Sequence, residues 1–171
     1  MKLSFNEFNG TIPSQLGNCI NLLILALDNN KLWGNLPSQL GNLVALNVLY
    51  LQKNNLFGPI PSSIKSCKKL YDLRFSDNSL TGSIPMEIGS MSNLQDMLDL
   101  SANFLSGSIP SSLGDLMMLE VLNLSNNQLS GQVPDEIGDL RSLDELNLSN
   151  NFLHIQLPLS DSKWHCISFV L

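Results

Sequence analysis

The chain has 171 residues, of which 43% are hydrophobic and 14% are charged, and its net charge is −6. Much aliphatic content at low charge excludes a disordered chain and predicts a single folded unit with a buried core. The acidic balance disfavours nucleic-acid binding, which needs a basic surface, and no apolar run approaches the roughly 20 residues of a membrane helix.

One repeating pattern organises the chain, and it is clearest in LEVLNLSNNQLSGQVP at 119–134. The pattern is L-x-x-L-x-L-x-x-N-x-L followed by x-G-x-I-P, and it returns every 24 residues from the first copy to the last, with one interval of 25. A period in this range is typical of a leucine-rich-repeat solenoid, in which each coil is stable only when its neighbours stack on it.

Three sets of equivalent positions, one residue per coil, follow the chain in order. The asparagine set has seven members: Asn6, Asn30, Asn54, Asn78, Asn103, Asn127 and Asn151. The glycine set is Gly10, Gly34, Gly58, Gly82, Gly107 and Gly131, and the proline set is Pro13, Pro37, Pro61, Pro85, Pro110, Pro134 and Pro158. The longer interval predicts a one-residue bulge within LQDMLDL at 94–100.

Each set predicts a local structure. The alternating L-x-L segment is typical of a short strand with its leucines inward, and stacked coils would align these strands as a parallel sheet. The asparagines would form a ladder that bonds backbone groups of adjoining coils. Glycine permits a backbone angle that a Cβ would forbid, and proline stiffens an extended segment. The segment after proline is long enough for only a helical turn or two.

The two ends of the chain depart from the repeat. Met1 and Leu3 already occupy strand positions, and MKLSFNEFNG lacks the apolar segment of a signal peptide. Near the other end Ile155 replaces the glycine, and the pattern is lost beyond Pro158. We expect a repeat domain at 1–158, an irregular tail at 159–171, and a chain that is a piece of a longer solenoid.

The segments NGTIP at 9–13, TGSIP at 81–85 and SGSIP at 106–110 resemble the plant-specific class of leucine-rich repeats. The resemblance implies an α/β solenoid: a right-handed superhelix with a parallel sheet on its concave face. It also implies a second short strand beside each G-x-I-P segment and short 3₁₀ or helical turns on the convex face.

The same resemblance implies a function. Such coils build the ectodomains of plant receptor-like kinases and receptor-like proteins, and LQDMLDLSANFLSGSIP at 94–110 is similar to their penultimate coils. The expected partner is a peptide or another ectodomain, bound at the plasma-membrane surface without insertion of this chain. Two alternatives remain: a secreted inhibitor of a wall-degrading enzyme, similar to polygalacturonase inhibitors, and a truncated product without independent function.

Nothing in the sequence indicates an enzyme, a metal site or a cofactor. Cys19 and Cys67 are two coils apart in one repeat phase, too far for a disulfide, and we expect both in the core. Cys166 is either half of a lost cap pair or an unpaired thiol. His154 and His165 lack the spacing of a zinc site, and no nucleophile elbow or phosphate loop occurs.

The candidate binding site is the concave face of the third and fourth coils. Strand residues that flank the inward leucines face outward and are free to vary. Here they form a mixed aromatic and charged patch, of a composition favoured at binding hot spots: Tyr50, Lys53, Asp72, Arg74 and Asp77. Later coils carry serine and asparagine, and three N-x-S/T sequons predict glycans at Asn9, Asn123 and Asn147. Glycans on the last two would direct a ligand toward the N-terminal coils or to a lateral edge.

Overall fold

The structure, a computed structural model, describes residues 1–154 in full and the backbone of residues 168–170. Ile155, Pro158, His165 and Cys166, to which the sequence analysis gave roles, lie outside the described residues. The division of the chain at residue 158 therefore stays a prediction.

The L-x-L segments form six strands of a seven-stranded parallel sheet, which is the concave face of the solenoid. The strands are β2 (Ile24–Ala26), β4 (Val48–Tyr50), β6 (Asp72–Arg74), β8 (Met97–Asp99), β10 (Val121–Asn123), β12 (Glu145–Asn147) and β14 (Ser168–Val170). Equivalent residues of neighbouring coils face each other, so Ala26 pairs with Tyr50 and Tyr50 with Arg74. Lys2 extends the sheet by an isolated bridge to Ala26.

A second parallel sheet lies beside the first, as the resemblance implied. Its strands are β1 (Asn9–Gly10), β3 (Lys31–Asn35), β5 (Asn55–Gly58), β7 (Ser79–Gly82), β9 (Phe104–Gly107), β11 (Gln128–Gln132) and β13 (Phe152–His154). The glycines within it have positive φ. At Gly58, where φ is +76°, an added Cβ would also lie 2.3 Å from Asn35 Oδ1.

The convex side consists of 3₁₀ turns, each preceded by a proline of the repeat. They are η1 (Ser14–Asn18), η2 (Ser38–Asn42), η3 (Ser62–Ser66), η4 (Met86–Ser90), η5 (Ser111–Asp115) and η6 (Asp135–Asp139). The preceding prolines have φ between −62° and −71° and extended ψ, which suits the entry to a turn. Within this frame one continuous core runs along the chain, built from the inward leucines of every coil.

The asparagine side chains connect each coil to the one before it. Asn78 donates from Nδ2 to the carbonyl oxygens of Leu51, Phe75 and Ser76 at 3.0–3.1 Å. Its Oδ1 accepts the N–H of Leu56 at 3.0 Å. The buried amide thus satisfies backbone groups of two coils at the point where the chain leaves the sheet. The side chain of Asn6, in the first coil, donates to carbonyl groups of its own coil only.

The one-residue insertion lies where the 25-residue interval predicted it. Gln95 and Asp96 both donate their N–H to the Tyr71 carbonyl, at 3.1 and 3.0 Å, and Glu120 of the next coil donates to the Gln95 carbonyl. Gln95 therefore occupies the regular position before the strand, and exposed Asp96 is the extra residue. The strand resumes in register at Met97, opposite Asp72.

A strained position, which the sequence analysis missed, precedes every asparagine of the ladder. These residues have φ of 50–56° and are Phe5, Asn29, Lys53, Asp77, Ala102, Asn126 and Asn150. The left-handed conformation is disfavoured for most residues but tolerated by Asn and Asp, which fill four of the seven positions. The frequency of Asn and Asp at this position was the sequence signal for the left-handed conformation. That conformation changes where the side chains of Lys53 and Asp77 lie.

The expectation that both cysteines lie in the core is right for Cys67 and wrong for Cys19. The Cys67 thiol is buried, donates to the Leu40 carbonyl of the preceding coil at 3.3 Å, and has its pKa raised to about 11 by burial. In the first coil of the described residues no preceding coil covers this position, and Cys19 is exposed. Both thiols are free.

The tail contains one strand that the sequence analysis did not predict. The backbone of β14 pairs in parallel with β12, with Ser168 opposite Glu145 and Val170 opposite Asn147. A strand at the end of a sheet offers unpaired N–H and C=O groups to any extended segment of the right length, even one without the repeat pattern. The tail is therefore not irregular throughout.

We predict that Asn78→Ala lowers the free energy of unfolding by about 1–3 kcal/mol, because it leaves buried carbonyl and N–H groups of two coils without partners. Urea unfolding followed by circular dichroism measures the change. Asn55→Ala is the matched control, since Asn55 lies exposed on β5. Equal midpoints for the two variants would contradict the role of the ladder.

Candidate functional site

Three of the five predicted site residues form a connected cluster on the concave sheet. Tyr50 ends β4, and Asp72 and Arg74 begin and end β6, so all three side chains project from the same face. Arg74 donates to Asp72 through Nε and Nη2, each at 2.8 Å, and Tyr50 donates its hydroxyl to the same carboxylate. The Arg74 guanidinium lies 4.8 Å from the centroid of the Tyr50 ring. We call these three residues the Tyr-Asp-Arg cluster.

The carboxylate of this cluster is buried, whereas its two donors reach the surface. Asp72 is 2% exposed, while the Arg74 side chain is 35% exposed. A buried carboxylate is tolerated only with donors of this kind around it. Each donor is in turn held in one orientation, because the carboxylate fixes its polar end and the cation–π contact fixes its plane.

The electrostatics of the cluster agree with this geometry. Burial raises the pKa of Tyr50 to about 12, and the hydrogen bond to the Asp72 carboxylate adds to the effect. The hydrogen bond to Asp72 also raises the pKa of Arg74 above its usual value. At physiological pH the cluster therefore contains a neutral Tyr50 phenol beside the hydrogen-bonded ion pair of Arg74 and Asp72.

Lys53 and Asp77 lie apart from the cluster. Both occupy the positive-φ position where the chain turns off the sheet, with φ of +56° and +53°, and both are exposed. Among the contacts of the described residues, no ion pair or hydrogen bond joins them to Tyr50, Asp72 or Arg74. They form a charged rim beside the sheet and are not part of its face.

A groove of about 650 Å³ runs from the cluster toward the N-terminal coils. Its floor includes Ile24, Ala26 and Val48, and Tyr50 and Arg74 line its C-terminal part. The sequence analysis placed the site at the cluster and missed this extension. The signal was Ala26, a small residue between Lys2 and Tyr50 in the central row of the sheet, which leaves a depression.

Two further polar residues of the groove were not singled out from the sequence. Asp28 is 4% exposed, and it accepts a hydrogen bond from Ser4 Oγ at 2.5 Å and another from Asn29 Nδ2 at 2.9 Å. Gln52 occupies the equivalent position one coil later and also lines the groove. The groove thus has an acidic and an amide residue beside its apolar floor.

The concave face of the later coils is built differently. Asp99, Asn123 and Asn147 each accept two hydrogen bonds through Oδ1 from the serine two residues on, one from its N–H and one from its hydroxyl, at 2.6–3.2 Å. The serines that looked generic in the sequence therefore stabilise the exit from the sheet. Two of these acceptors are sequon asparagines, and both remain partly exposed.

The described part of the chain contains no group of three or more His, Cys, Asp or Glu placed to hold a metal ion. Nor does any helix in that part have the length and apolar character needed to cross a membrane.

Comparison with known proteins gives consistent matches. The family model "Leucine-rich repeat region" matches residues 3–128, and "Leucine Rich Repeat" matches residues 118–140. Comparison with curated protein sequences gives no significant match. Among solved structures, the chain is similar to the ectodomain of the plant membrane receptor kinase GASSHO1/SCHENGEN3 from Arabidopsis thaliana in complex with CASPARIAN STRIP INTEGRITY FACTOR 2. That match has a TM-score of 0.89 and 52% identity, over 90% of this chain and 18% of that one.

Two other solved complexes are similar. The plant peptide hormone receptor RGFR1 with RGF2 has a TM-score of 0.94 and 40% identity, over 99% of this chain and 27% of that one. The complex of the Arabidopsis receptor kinase HAESA with the peptide hormone IDA and the co-receptor SERK1 has a TM-score of 0.86 and 35% identity. That match covers 90% of this chain and 26% of that one. The chain thus spans about a fifth to a quarter of the length of these three proteins.

The raised pKa of Tyr50 predicts a pH dependence of stability. The phenol pKa rises from 10.0 in the unfolded chain to about 12 in the fold, so its contribution is complete below pH 10 and is lost as the pH rises toward 12. We expect the stability difference between wild type and Tyr50→Phe to shift over this interval in favour of the variant. Urea unfolding at a series of pH values measures it, and the other titrating groups cancel because both proteins share them. A pH-independent difference would contradict the raised pKa of Tyr50.

Proposed function

The chain belongs to the leucine-rich-repeat family, and on this premise we propose that it is a non-catalytic recognition module of a plant cell-surface receptor. Its ligand is a peptide or a partner ectodomain, and its location is the extracellular side of the plasma membrane. The binding site is the concave groove and its rim, with Tyr50, Lys53, Asp72, Arg74 and Asp77 as the residues that give specificity.

The observation that carries the proposal is the Tyr-Asp-Arg cluster. Tyrosine and arginine are the side chains most enriched at binding hot spots, partly because they offer large contact areas. Here the ring and the guanidinium are already fixed by the buried Asp72 carboxylate. A ligand that packs on them therefore loses little side-chain entropy, which is the usual cost of ordering such groups at an interface.

The core does not explain why the cluster is present. The inward positions of β4 and β6 are filled by Leu49 and Leu73, both 0% exposed, as in the other coils. Replacing a buried ion pair by apolar residues often leaves protein stability unchanged or raises it. A contribution to stability is therefore a weak explanation for the cluster. Its place beside an open groove instead favours recognition.

The rim residues have a different task within the same site. Lys53 and Asp77 are exposed and lie at the turn beyond the sheet. Charges at the edge of an interface change the rate of association and the choice of partner more than the affinity. We therefore assign them to orientation of the ligand as it approaches the groove.

The similar solved structures support the class of ligand. GASSHO1/SCHENGEN3 is seen in complex with CASPARIAN STRIP INTEGRITY FACTOR 2, and RGFR1 with RGF2. HAESA is seen in complex with the peptide hormone IDA and the co-receptor SERK1. A module with the same repeat architecture and an open concave groove is suited to a peptide of this kind, with a partner ectodomain as the second component.

The binding test compares two double variants of equal composition. The chain has two tyrosines and two arginines, so Tyr50→Ala/Arg74→Ala is matched by Tyr71→Ala/Arg141→Ala, which changes two exposed residues that do not line the groove. We expect a pull-down from secreted plant peptides and ectodomains to recover partners with wild type and with the matched control. The groove variant should recover at least tenfold less of these partners, because the loss of one or two hot-spot residues weakens binding by that factor or more.

Equal recovery by wild type and the groove variant would overturn the site assignment. Circular dichroism of both variants shows whether each remains folded. Recovery of a wall-degrading enzyme as the main partner would instead point to a secreted inhibitor.

We also propose that the three sequons carry glycans. Asn9 is exposed, and Asn123 and Asn147 lie on the concave sheet of later coils, away from the groove around Ala26 and Tyr50. We expect Asn9→Gln, Asn123→Gln and Asn147→Gln each to remove the mass of one glycan from the chain secreted by plant cells. Intact-mass spectrometry with and without enzymatic deglycosylation measures it. Unchanged mass for a variant would show that its sequon is unused.

A further inference from the structure

Two exposed aromatic side chains lie on neighbouring strands of the second sheet, outside both the core and the concave groove. Trp33 on β3 is 48% exposed, and Phe57 on β5 is 46% exposed. They occupy the same position of their coils, the third residue after the ladder asparagine. Later coils carry small polar residues there: Thr81, Ser106 and Ser130. An exposed aromatic pair that departs from its row in this way indicates a contact surface.

The row of these aromatic residues begins at a sequon. Asn9 is the third residue after the first ladder asparagine, so Asn9, Trp33 and Phe57 are equivalent positions of three successive coils. Asn9 lies opposite Lys31, and both are exposed, as is Trp33 two residues further along β3. The three side chains therefore share the outer face of the sheet. One strand spacing and two residues of rise separate the Cα atoms of Asn9 and Trp33 by roughly 8 Å.

The same diagonal step leads from Trp33 to Phe57. Asn55 lies opposite Trp33 on the next strand, and Phe57 is two residues beyond it. The row thus runs obliquely over the outer face, from the sequon across one aromatic ring to the other. A chain of sugars that starts at Asn9 and follows the row meets Trp33 first and Phe57 second.

The side chain of Asn9 is available for attachment of a glycan. Its Oδ1 accepts the N–H of Gly10 at 2.8 Å, and no hydrogen bond among the described residues uses its Nδ2 as donor. Nδ2 is the atom that carries the sugar in an N-linked glycan, and Thr11 completes the sequon. Both Asn9 and Thr11 are exposed.

A sugar suits an exposed aromatic ring chemically. One face of N-acetylglucosamine presents C–H groups with a small positive charge, and the face of an aromatic ring is negative. We infer that the glycan of Asn9 folds back on the second sheet, with its first N-acetylglucosamine on the Trp33 indole and its second on the Phe57 ring. This inference rests on the glycan proposed above at Asn9, and it is independent of the ligand in the concave groove.

The sequon at Asn123 offers a contrast within the same chain. Its neighbours in register are Asp99 and Asn147, and β8, β10 and β12 contain no aromatic residue. A glycan at Asn123 therefore has no ring beside it on the sheet. Because burial of apolar surface stabilises a fold, we expect the glycan of Asn9 to raise stability through Trp33 and Phe57, and that of Asn123 not to use them.

The first test is a cycle of urea midpoints on chains secreted by plant cells, with glycan occupancy read by intact-mass spectrometry. Asn9→Gln is made in wild type and in Trp33→Ser/Phe57→Ser, which installs the residue type of later coils. We expect Asn9→Gln to lower the midpoint more in wild type than in the double variant. The lost hydrogen bond to Gly10 is common to both backgrounds and cancels.

Two controls accompany this cycle. Phe104→Ser removes an exposed aromatic residue of β9, four coils away from Asn9, and should leave the full effect of Asn9→Gln. Asn123→Gln should change the midpoint equally in wild type and in Trp33→Ser/Phe57→Ser, because its glycan does not use the aromatic row.

The second test observes Trp33 directly and leaves the row intact. The chain has two tryptophans, so Trp164→Phe leaves Trp33 as the only one. Complete enzymatic removal of the glycan should raise the acrylamide quenching of Trp33 roughly twofold, because a sugar on one face of the indole leaves only the other face to the quencher. Trimming by an endoglycosidase that retains the first N-acetylglucosamine should leave the quenching low.

The outcomes separate this inference from the proposals it stands beside. An intact mass without a glycan at Asn9 overturns both the glycan and its docking, and leaves binding in the groove untouched. If the glycan is present, an equal midpoint loss in both backgrounds, or quenching that does not change on its complete removal, overturns the docking alone. Failure of the pull-down removes the proposed receptor function and leaves the docking of the glycan intact.

Discussion

The structure depends on the need to satisfy backbone groups where each coil leaves the sheet. Those groups are buried by the stacking that stabilises the solenoid, and a coil has no partners of its own for them. The asparagine amide supplies donor and acceptor together, and it bonds both its own coil and the preceding one, as Asn78 does with Leu51 and Phe75. A side chain with both functions at that one position satisfies these groups while the coils stack at strand spacing.

Because the asparagine ladder and the inward leucines stabilise the fold, the outward positions of the concave sheet are not needed for stability and can vary. The fifth to seventh coils fill the central position with a group that stabilises the local turn, such as Asn123 accepting from Ser125. The third and fourth coils do not. There Tyr50 and Arg74 replace the turn acceptor, and Asp72 brings a charge to 2% exposure beside them. The departure from the local rule is what marks these coils as a candidate site.

The sequence predicted what depends on the period and missed what depends on backbone conformation. The repeat alone predicted the alignment of Tyr50 with Arg74, and the interval of 25 residues predicted a bulge within 94–100, because register in stacked coils follows from counting. The structure places this bulge at Asp96. It did not separate Lys53 and Asp77 from the cluster, since that requires the positive φ of the turn. It also placed Cys19 in the core by analogy with Cys67, although burial there comes from a preceding coil. The groove depends on the small size of Ala26 relative to its neighbours, which no single coil reveals.

The polar groups along the groove are held by neighbours within the protein. At the Tyr-Asp-Arg cluster the Asp72 carboxylate accepts hydrogen bonds from Arg74 and Tyr50. In the second coil the Asp28 carboxylate accepts hydrogen bonds from Ser4 and Asn29. Side chains that are already held in one orientation lose little conformational freedom when a ligand packs on them. In the proposed function this prior order, and not the size of the groove alone, is what makes these coils suited to recognition.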